Sequence, residues 1–411
     1  MSLRHRSDEG YTSAPAAHHG PGGHDERGVA PAILWSVEDD PHAPPGPASV
    51  RCVLCAHRCL LRPGRVGLCG VRENRGGELV SLVYGELVAA HLDPIEKKPL
   101  FHVLPGSTSY SIATVGCPFR CGFCQNWEIA QAPRERIRHT TFHVEPVEVV
   151  DAAVAMGARS IAFTYVEPTI FVEYLLDVAR LARRAGLRTV LVTNGYATPE
   201  SIEVMAPWID AANVDLKGFD DATYRRICGA RLAPVLETLT GFRAAGVWVE
   251  VTTLLIPGHT DDPAGLGELT AWIVRELGPE TPWHVSRFFP AYRFGHVHPT
   301  PVETIRRAAE IGRAAGLAHV YPGNLGSHAD ADDGVTRCAG CGALLIARSG
   351  YRIVEVRLRD GRCPACGRAL PGIFDGAPSG GPGSSGADPV EACATGFDGP
   401  AAAGAGPGGR S

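Results

Sequence analysis

The chain has 411 residues, of which 45% are hydrophobic and 20% charged: enough apolar content for a large core, and too much for global disorder. Its formal net charge of −5 argues against a protein that coats nucleic acid, which presents a basic face. No apolar run approaches the ~18 residues of a membrane span, and the first twenty residues lack the apolar stretch of a secretory signal. A cytoplasmic protein with reduced thiols is expected, with neither membrane nor nucleic acid as a partner.

Residues 1–50 are rich in glycine and proline without periodicity and read as a disordered tail, as do residues 376–411, which hold a stray Cys393. Residues 51–104 form a first module. Cys52, Cys55, Cys59 and Cys69 fall within eighteen residues, with glycine turns at Gly64 and Gly67 that let the chain return around one metal. Zinc is the preferred occupant, an auxiliary iron–sulfur cluster is the other, and His57 is a possible substitute ligand. Residues 81–92 alternate like a strand.

Between 105 and 327 the pattern is strand, loop, helix, repeated. Strands are predicted at 109–116, 160–168, 188–195, 211–218, 247–258, 283–290 and 319–324. Amphipathic helices are predicted at 146–158, 169–186, 198–209, 220–229, 232–246, 262–277 and 301–316. Such alternation means an α/β fold with a parallel sheet, most simply a partial (β/α) barrel of the TIM type, with its chemistry at the C-terminal strand ends. A doubly wound sheet is less favoured, because no glycine-rich dinucleotide fingerprint follows the first strand. Residues 335–374 carry Cys338-x2-Cys341 and Cys363-x2-Cys366, each knuckle followed by glycine (Gly342, Gly367), around a hairpin predicted at 351–361. Paired knuckles of this kind predict a structural zinc ribbon.

The first barrel strand runs into GCPFRCGFCQNW, where Cys117, Cys121 and Cys124 stand at Cys-x3-Cys-x2-Cys spacing. A structural zinc site uses paired knuckles and four ligands. Three thiols in one loop instead suit an iron–sulfur cubane with one iron left open. Lysine is scarce, at three residues against thirty-six arginines, so Lys217 on a buried strand end draws notice. Cys228, alone after a helix, reads as a buried thiol.

The loop's spacing, with aromatic Phe123 before its last cysteine, resembles the signature of the radical S-adenosylmethionine (SAM) superfamily, and the resemblance extends over residues 51–326. DPIEKKPLFHVLPGS, TYVEPTIFVEY, VTNGY, VDLKGF and LLIPGHTDD resemble the branch that contains the pyruvate formate-lyase activating enzymes. Within it, CVLCAHRC…GLCGVREN together with DPIEKKPL most resembles the radical enzyme of the so-called AmmeMemoRadiSam system. The resemblance implies that Cys117, Cys121 and Cys124 hold a [4Fe-4S] cluster whose fourth iron is chelated by SAM. An electron, supplied by a donor such as ferredoxin or flavodoxin, cleaves the C5′–S bond. The 5′-deoxyadenosyl radical then abstracts hydrogen from a small-molecule or protein substrate that the residues do not identify.

The resemblance also implies cofactor-binding roles. Phe123 belongs to the signature. Glu167 stands where the family's Gly-Gly-Glu motif ends and would accept from the SAM ammonium, although Tyr165 and Val166 replace the glycines; a helix-capping acid is the other reading. Asn194 would contact ribose or methionine, or simply make the turn before Gly195. Asp215 and Lys217 would engage the SAM carboxylate, or pair with each other. Ile256, Pro257 and Gly258 match the adenine-side strand end. Catalytic candidates are Lys217, Asp215 and His284. Arg287, Phe288, Tyr292, Tyr321 and Asn324 stand at late strand ends, and Lys97 and Lys98 would reach over the barrel mouth or else form a solvated face. Two further readings stay open: an activase that installs a glycyl radical on a partner enzyme, and a non-catalytic, zinc-stabilised binding protein.

Overall fold

The computed structural model describes residues 28–40, 46–131 and 141–374. Its centre is an eight-stranded sheet: β1 (Ala89–Pro94), β2 (Thr108–Ala113), β3 (Ser160–Phe163), β4 (Arg188–Thr193), β5 (Ala211–Asp215), β6 (Trp248–Leu255), β7 (Trp283–Arg287) and β8 (Val320–Gly323). The strands lie side by side in chain order, from β1 at one edge to β8 at the other. β1 is antiparallel to β2 and every other pair is parallel. An order that never reverses has no topological switch point, which removes the doubly wound alternative.

Between the parallel strands run α1 (Pro146–Ala155), α2 (Val172–Arg184), α3 (Pro199–Met205), the pair α4 (Asp221–Cys228) and α5 (Leu232–Ala244), α6 (Pro263–Trp272) and α7 (Val302–Ala314). Their starts are written locally. The Thr198 hydroxyl accepts from the Ser201 amide, and the Asp220 carboxylate from those of Ala222 and Thr223. Gly229 closes α4 in the left-handed region at φ 67°. The strands read as near-continuous apolar runs because both faces are covered: all four residues of β3 are buried, and Val190, Leu191, Val214, Val251 and Val285 are at most 1% exposed.

The segment 95–104 crosses the sheet's interior. The Asn213 amide donates to the Pro99 carbonyl, and the Phe101 and His102 amides donate to the buried Glu250 carboxylate. His102 also meets Tyr321 on β8, Nε2 to Oη 2.8 Å. One short segment thus touches β5, β6 and β8 together.

Two small modules flank the sheet. Residues 30–38 are not part of a structureless tail: Trp35–Glu38 pairs antiparallel with Ser49–Cys52, and Ala30–Pro31 with Glu78–Ser81. They complete two three-stranded sheets, Trp35–Glu38 beside Ser49–Cys52 and Leu60–Leu61, and Ala30–Pro31 beside Glu78–Ser81 and Arg72–Arg75. Residues 1–27 and 41–45 of the first predicted tail and all of the second, 376–411, lie outside the described residues. Near the C-terminus the hairpin pairs Leu344–Ser349 with Arg352–Val356, so its turn falls at Gly350–Tyr351, earlier in the chain than predicted. Gly350, at φ 58°, supplies the turn.

Candidate radical SAM site

The loop that leaves β2 carries Cys117, Cys121 and Cys124 at the C-terminal edge of the parallel sheet. Neighbouring backbone fixes its path. The Arg120 amide donates to the Cys228 carbonyl (2.7 Å), the Gly122 amide to that of Ile227 (3.0 Å), and the Arg293 amide to that of Gly122 (2.9 Å). Gly122 has no room for a side chain: a Cβ there would stand 2.6 Å from the Phe294 ring. Phe294 lies edge-on to Phe123, and Trp127 stacks on Tyr292 at 5.0 Å. The segment 291–294 therefore packs on the cysteine loop. Tyr292 was singled out from sequence; Phe294 was missed, since no spacing links it to the loop.

Among the described residues, only Cys338, Cys341, Cys363 and Cys366 bring their sulfurs within 4.8 Å of one another. The three loop thiols are spread more widely. A single zinc ion, at about 2.3 Å from each sulfur, would need them closer, whereas a cluster places its cysteines at separate corners. The donor set therefore fits a cluster. The Cys117 and Cys124 thiols are pushed up by burial, and that of Cys121 by the neighbouring Cys228 thiol and by burial. As free thiols they stay protonated, so bound iron is what would hold them as thiolates. Sequence gave no signal that Cys228, 107 positions along the chain, stands beside Cys121.

Lys217 follows β5 and its Nζ lies 2.9 Å from the Asp215 carboxylate and 5.7 Å from the Phe123 ring. Burial works to lower its pKa, but Asp215 and Cys121 outweigh this and keep it cationic. Asn194 points its amide nitrogen at Cys117, 3.8 Å from the sulfur. Phe123, Asn194, Asp215 and Lys217 thus gather around the cysteine loop.

Other candidates sit differently. Glu167 is buried beneath the strand ends, where its oxygens accept from Thr169 (2.6 Å), Thr193 (2.8 Å) and the Asn194 amide (2.8 Å). Burial pushes its pKa up and these donors pull it down. A carboxylate so engaged ties β3 to β4 and caps the turn at 168–171, leaving little free acceptor capacity for a ligand ammonium. Ile256 is fully buried under its strand end, with its amide on the Thr260 hydroxyl. His284 donates from Nε2 to the Glu250 carboxylate at 2.7 Å and lies against Phe101 and Tyr321. That places it with the interior segment 95–104. Arg287 holds the Thr300 carbonyl, Phe288 is core, and Asn324 bonds Ser286.

Lys97 and Lys98 are not over the mouth: both pair with Asp93, which faces Ser109 near the start of β2. Lys98 is buried, and its Nζ lies 4.6 Å from the Tyr165 ring, whose hydroxyl also donates to Asp93. The antiparallel direction of β1, invisible to periodicity, carries DPIEKKPL to the far end.

The sequence profile of the Radical SAM superfamily matches residues 111–266, the stretch that holds the cysteine loop, Glu167, Asn194, Asp215 and Lys217. An uncharacterized protein of Methanocaldococcus jannaschii is 40% identical over 323 residues, 78% of this chain and 95% of that protein. The chain belongs to the radical SAM superfamily. It is also 32% identical to the isethionate sulfite-lyase activating enzyme of Nitratidesulfovibrio vulgaris, over 27% of this chain and 37% of the relative. The pyruvate formate-lyase-activating enzyme of Clostridium pasteurianum is 24% identical over 38% of this chain and 64% of its own length. Those two matches are thus confined to part of each enzyme. Membership makes the chain an enzyme of a superfamily defined by SAM and a [4Fe-4S] cluster, and the three-thiol loop is the feature it shares with that chemistry.

Proposed function

We propose that this protein cleaves SAM reductively within a partial (β/α) barrel and uses the resulting radical to abstract hydrogen from its substrate. The observation that carries the reading is the loop itself: three thiols at the C-terminal strand ends, too widely spaced for one ion, beside a buried cationic lysine. Cys117, Cys121 and Cys124 would hold a [4Fe-4S] cluster, which supplies the electron that breaks the C5′–S bond of SAM. Lys217 is placed to bind the SAM carboxylate, and Asp215 orients its ammonium. Asn194 offers an amide beside Cys117 for the ribose or methionine. Glu167 fixes Asn194 and Thr193 in position. Trp127, Tyr292 and Phe294 pack on the loop and would help to limit water there, as a reactive primary radical requires. Ile256, at the strand end, would back the adenine. His284 braces the segment 95–104 through Glu250, and so sets the floor under the substrate.

The electron donor would be a ferredoxin or flavodoxin. The names of the two activating enzymes favour a second reading, in which the substrate is a glycine of a partner enzyme. At the other end, Cys338 to Cys366 and Cys341 to Cys363 are 3.5 and 3.6 Å apart, the spacing of a tetrahedral zinc site, and zinc there would be structural.

The test is anaerobic. Wild type and Cys121→Ser are reconstituted with iron and sulfide, reduced and given SAM, and 5′-deoxyadenosine is quantified. Product from wild type alone is expected. Zinc without iron, and no product from either, would leave only a zinc-stabilised binding protein.

A further inference from the structure

The N-terminal module pairs the Cys52 amide with the Cys59 carbonyl (3.0 Å) and brings Cys55 and Cys69 to the same pocket. All four thiols line one pocket together with Arg72. They do not converge. No three of them have their sulfurs within 4.8 Å of one another, the condition that the C-terminal four satisfy. A zinc ion at about 2.3 Å from each sulfur draws its thiolates to about 3.8 Å apart.

The backbone makes the same distinction. In the C-terminal set each Cys-x2-Cys turn closes on a left-handed glycine, Gly342 at φ 74° and Gly367 at φ 76°, whose amides donate to the Cys338 and Cys363 carbonyls. In the N-terminal set Ala56 follows Cys55, the next cysteine comes after three residues, and no paired knuckle forms. Gly67 borders the thiols: a Cβ there would stand 3.8 Å from the Cys69 sulfur and 3.9 Å from that of Cys59.

The cavity also holds an unused donor. Arg72 is 1% exposed and lines it. Its Nη1 binds Glu173 and its Nη2 the Ile33 carbonyl, but its Nε has no hydrogen-bond partner among the described residues. Leaving a buried guanidinium N–H unpaired is destabilising. An inorganic sulfide, an acceptor that a zinc site does not contain, would satisfy it.

We propose that Cys52, Cys55, Cys59 and Cys69 bind a second [4Fe-4S] cluster, with the Arg72 Nε–H directed at one of its sulfides, and not a zinc ion. The site adjoins the SAM-cluster loop. The Cys69 carbonyl lies 2.6 Å from where a Cβ on Gly116 would stand, Arg120 donates to the Leu68 carbonyl, and His57 contacts the Pro118 carbonyl at 3.0 Å. The inference rests on this module alone and not on the reading of the neighbouring loop.

Its test is a metal count on the full chain, reconstituted anaerobically with iron and sulfide in the presence of zinc. Wild type is expected to hold about eight irons and about eight sulfides with one zinc. A variant with Cys117, Cys121 and Cys124 all changed to alanine is expected to keep about half of that iron and sulfide, with a [4Fe-4S] Mössbauer signature. Should that variant misfold, Cys59→Ser/Cys69→Ser in the wild-type background should halve the iron from the other side. A loop variant that binds two zinc ions and no iron overturns the proposal, as does a wild type with about four irons and two zinc ions. A loop variant that keeps its iron, alongside a wild type that never forms 5′-deoxyadenosine, would sustain this site while removing the radical reading.

Discussion

Lys217 is one of three lysines in the chain, and its ammonium is the cation set beside the cysteine loop. A charge-assisted hydrogen bond of this kind contributes about 1.5–3 kcal/mol. Lys217→Met is therefore expected to weaken SAM binding by about ten- to a hundredfold while the iron content stays at the wild-type level; equilibrium binding and iron analysis on one preparation check both. Gly116 shows a different constraint. Its φ of 97° is left-handed, and a Cβ would press on the Cys69 carbonyl and on Val71. Gly116→Ala should cost about 1–3 kcal/mol and lower the melting temperature. Because the clash falls between the two cysteine sets, iron loss should accompany it. Full iron retention would show that the two loops can separate freely.

Among the elements, the segment 95–104 is the one the sequence placed least well. Its charged residues look like a solvated face, yet Glu96, Lys98 and His102 are all buried. Each has a partner that only the folded chain supplies: Gly106 and Arg348 for Glu96, Asp93 for Lys98, and Pro371 and Tyr321 for His102. Burial, with nearby His319 adding to it, pushes the His102 pKa down to about 3, and burial takes His319 to about 4. Both are neutral in the fold, while an unfolded histidine takes its proton near pH 6.5. The unfolded chain therefore binds more protons between those values, and stability is lost as pH falls through that window. The loss approaches about 1.4 kcal/mol per pH unit for each histidine. Melting temperatures of wild type and His102→Gln from pH 7.5 to 5 check this. Wild type should lose more on acidification, and parallel curves would refute the role of His102.

At the scale of the whole molecule, the two cysteine modules sit at opposite ends of the sheet. The N-terminal one reaches the C-terminal strand ends through the Cys55–Ala197 bridge, Thr198 to the Val53 carbonyl, and the buried Arg72–Glu173 pair. The C-terminal one grips the segment 95–104: the Leu104 amide donates to the Ile373 carbonyl, the Ile373 amide donates to the His102 carbonyl, and Arg348 covers Phe101 at 4.4 Å. Its own apolar core is little more than Leu345, Ile346 and Leu370 around two cysteines, too small to hold without metal. With zinc bound there as proposed, Cys363→Ser should release one zinc and raise amide exchange at Leu104 and Ile373, leaving the iron count unchanged. Unchanged exchange would mean the module holds by packing alone. Among the described residues no helix is long and apolar enough to cross a membrane.

What could be read along the chain was whatever local chemistry writes there. Alternating apolar runs and caps fixed the strands and helices, and cysteine spacing separated the three-thiol loop from the paired knuckles, because a loop or a knuckle is a contiguous stretch. The direction of β1, the burial of Lys98, the meeting of Cys121 with Cys228, and the inward turn of Glu167 were decided by tertiary structure. Each depends on residues brought together across many positions, whose energies follow from distance and burial. The same holds for the four N-terminal cysteines. Their spacing allowed either metal, and only the spread of the four sulfurs in the fold, with the unpaired Arg72 N–H, favours a cluster over a single ion.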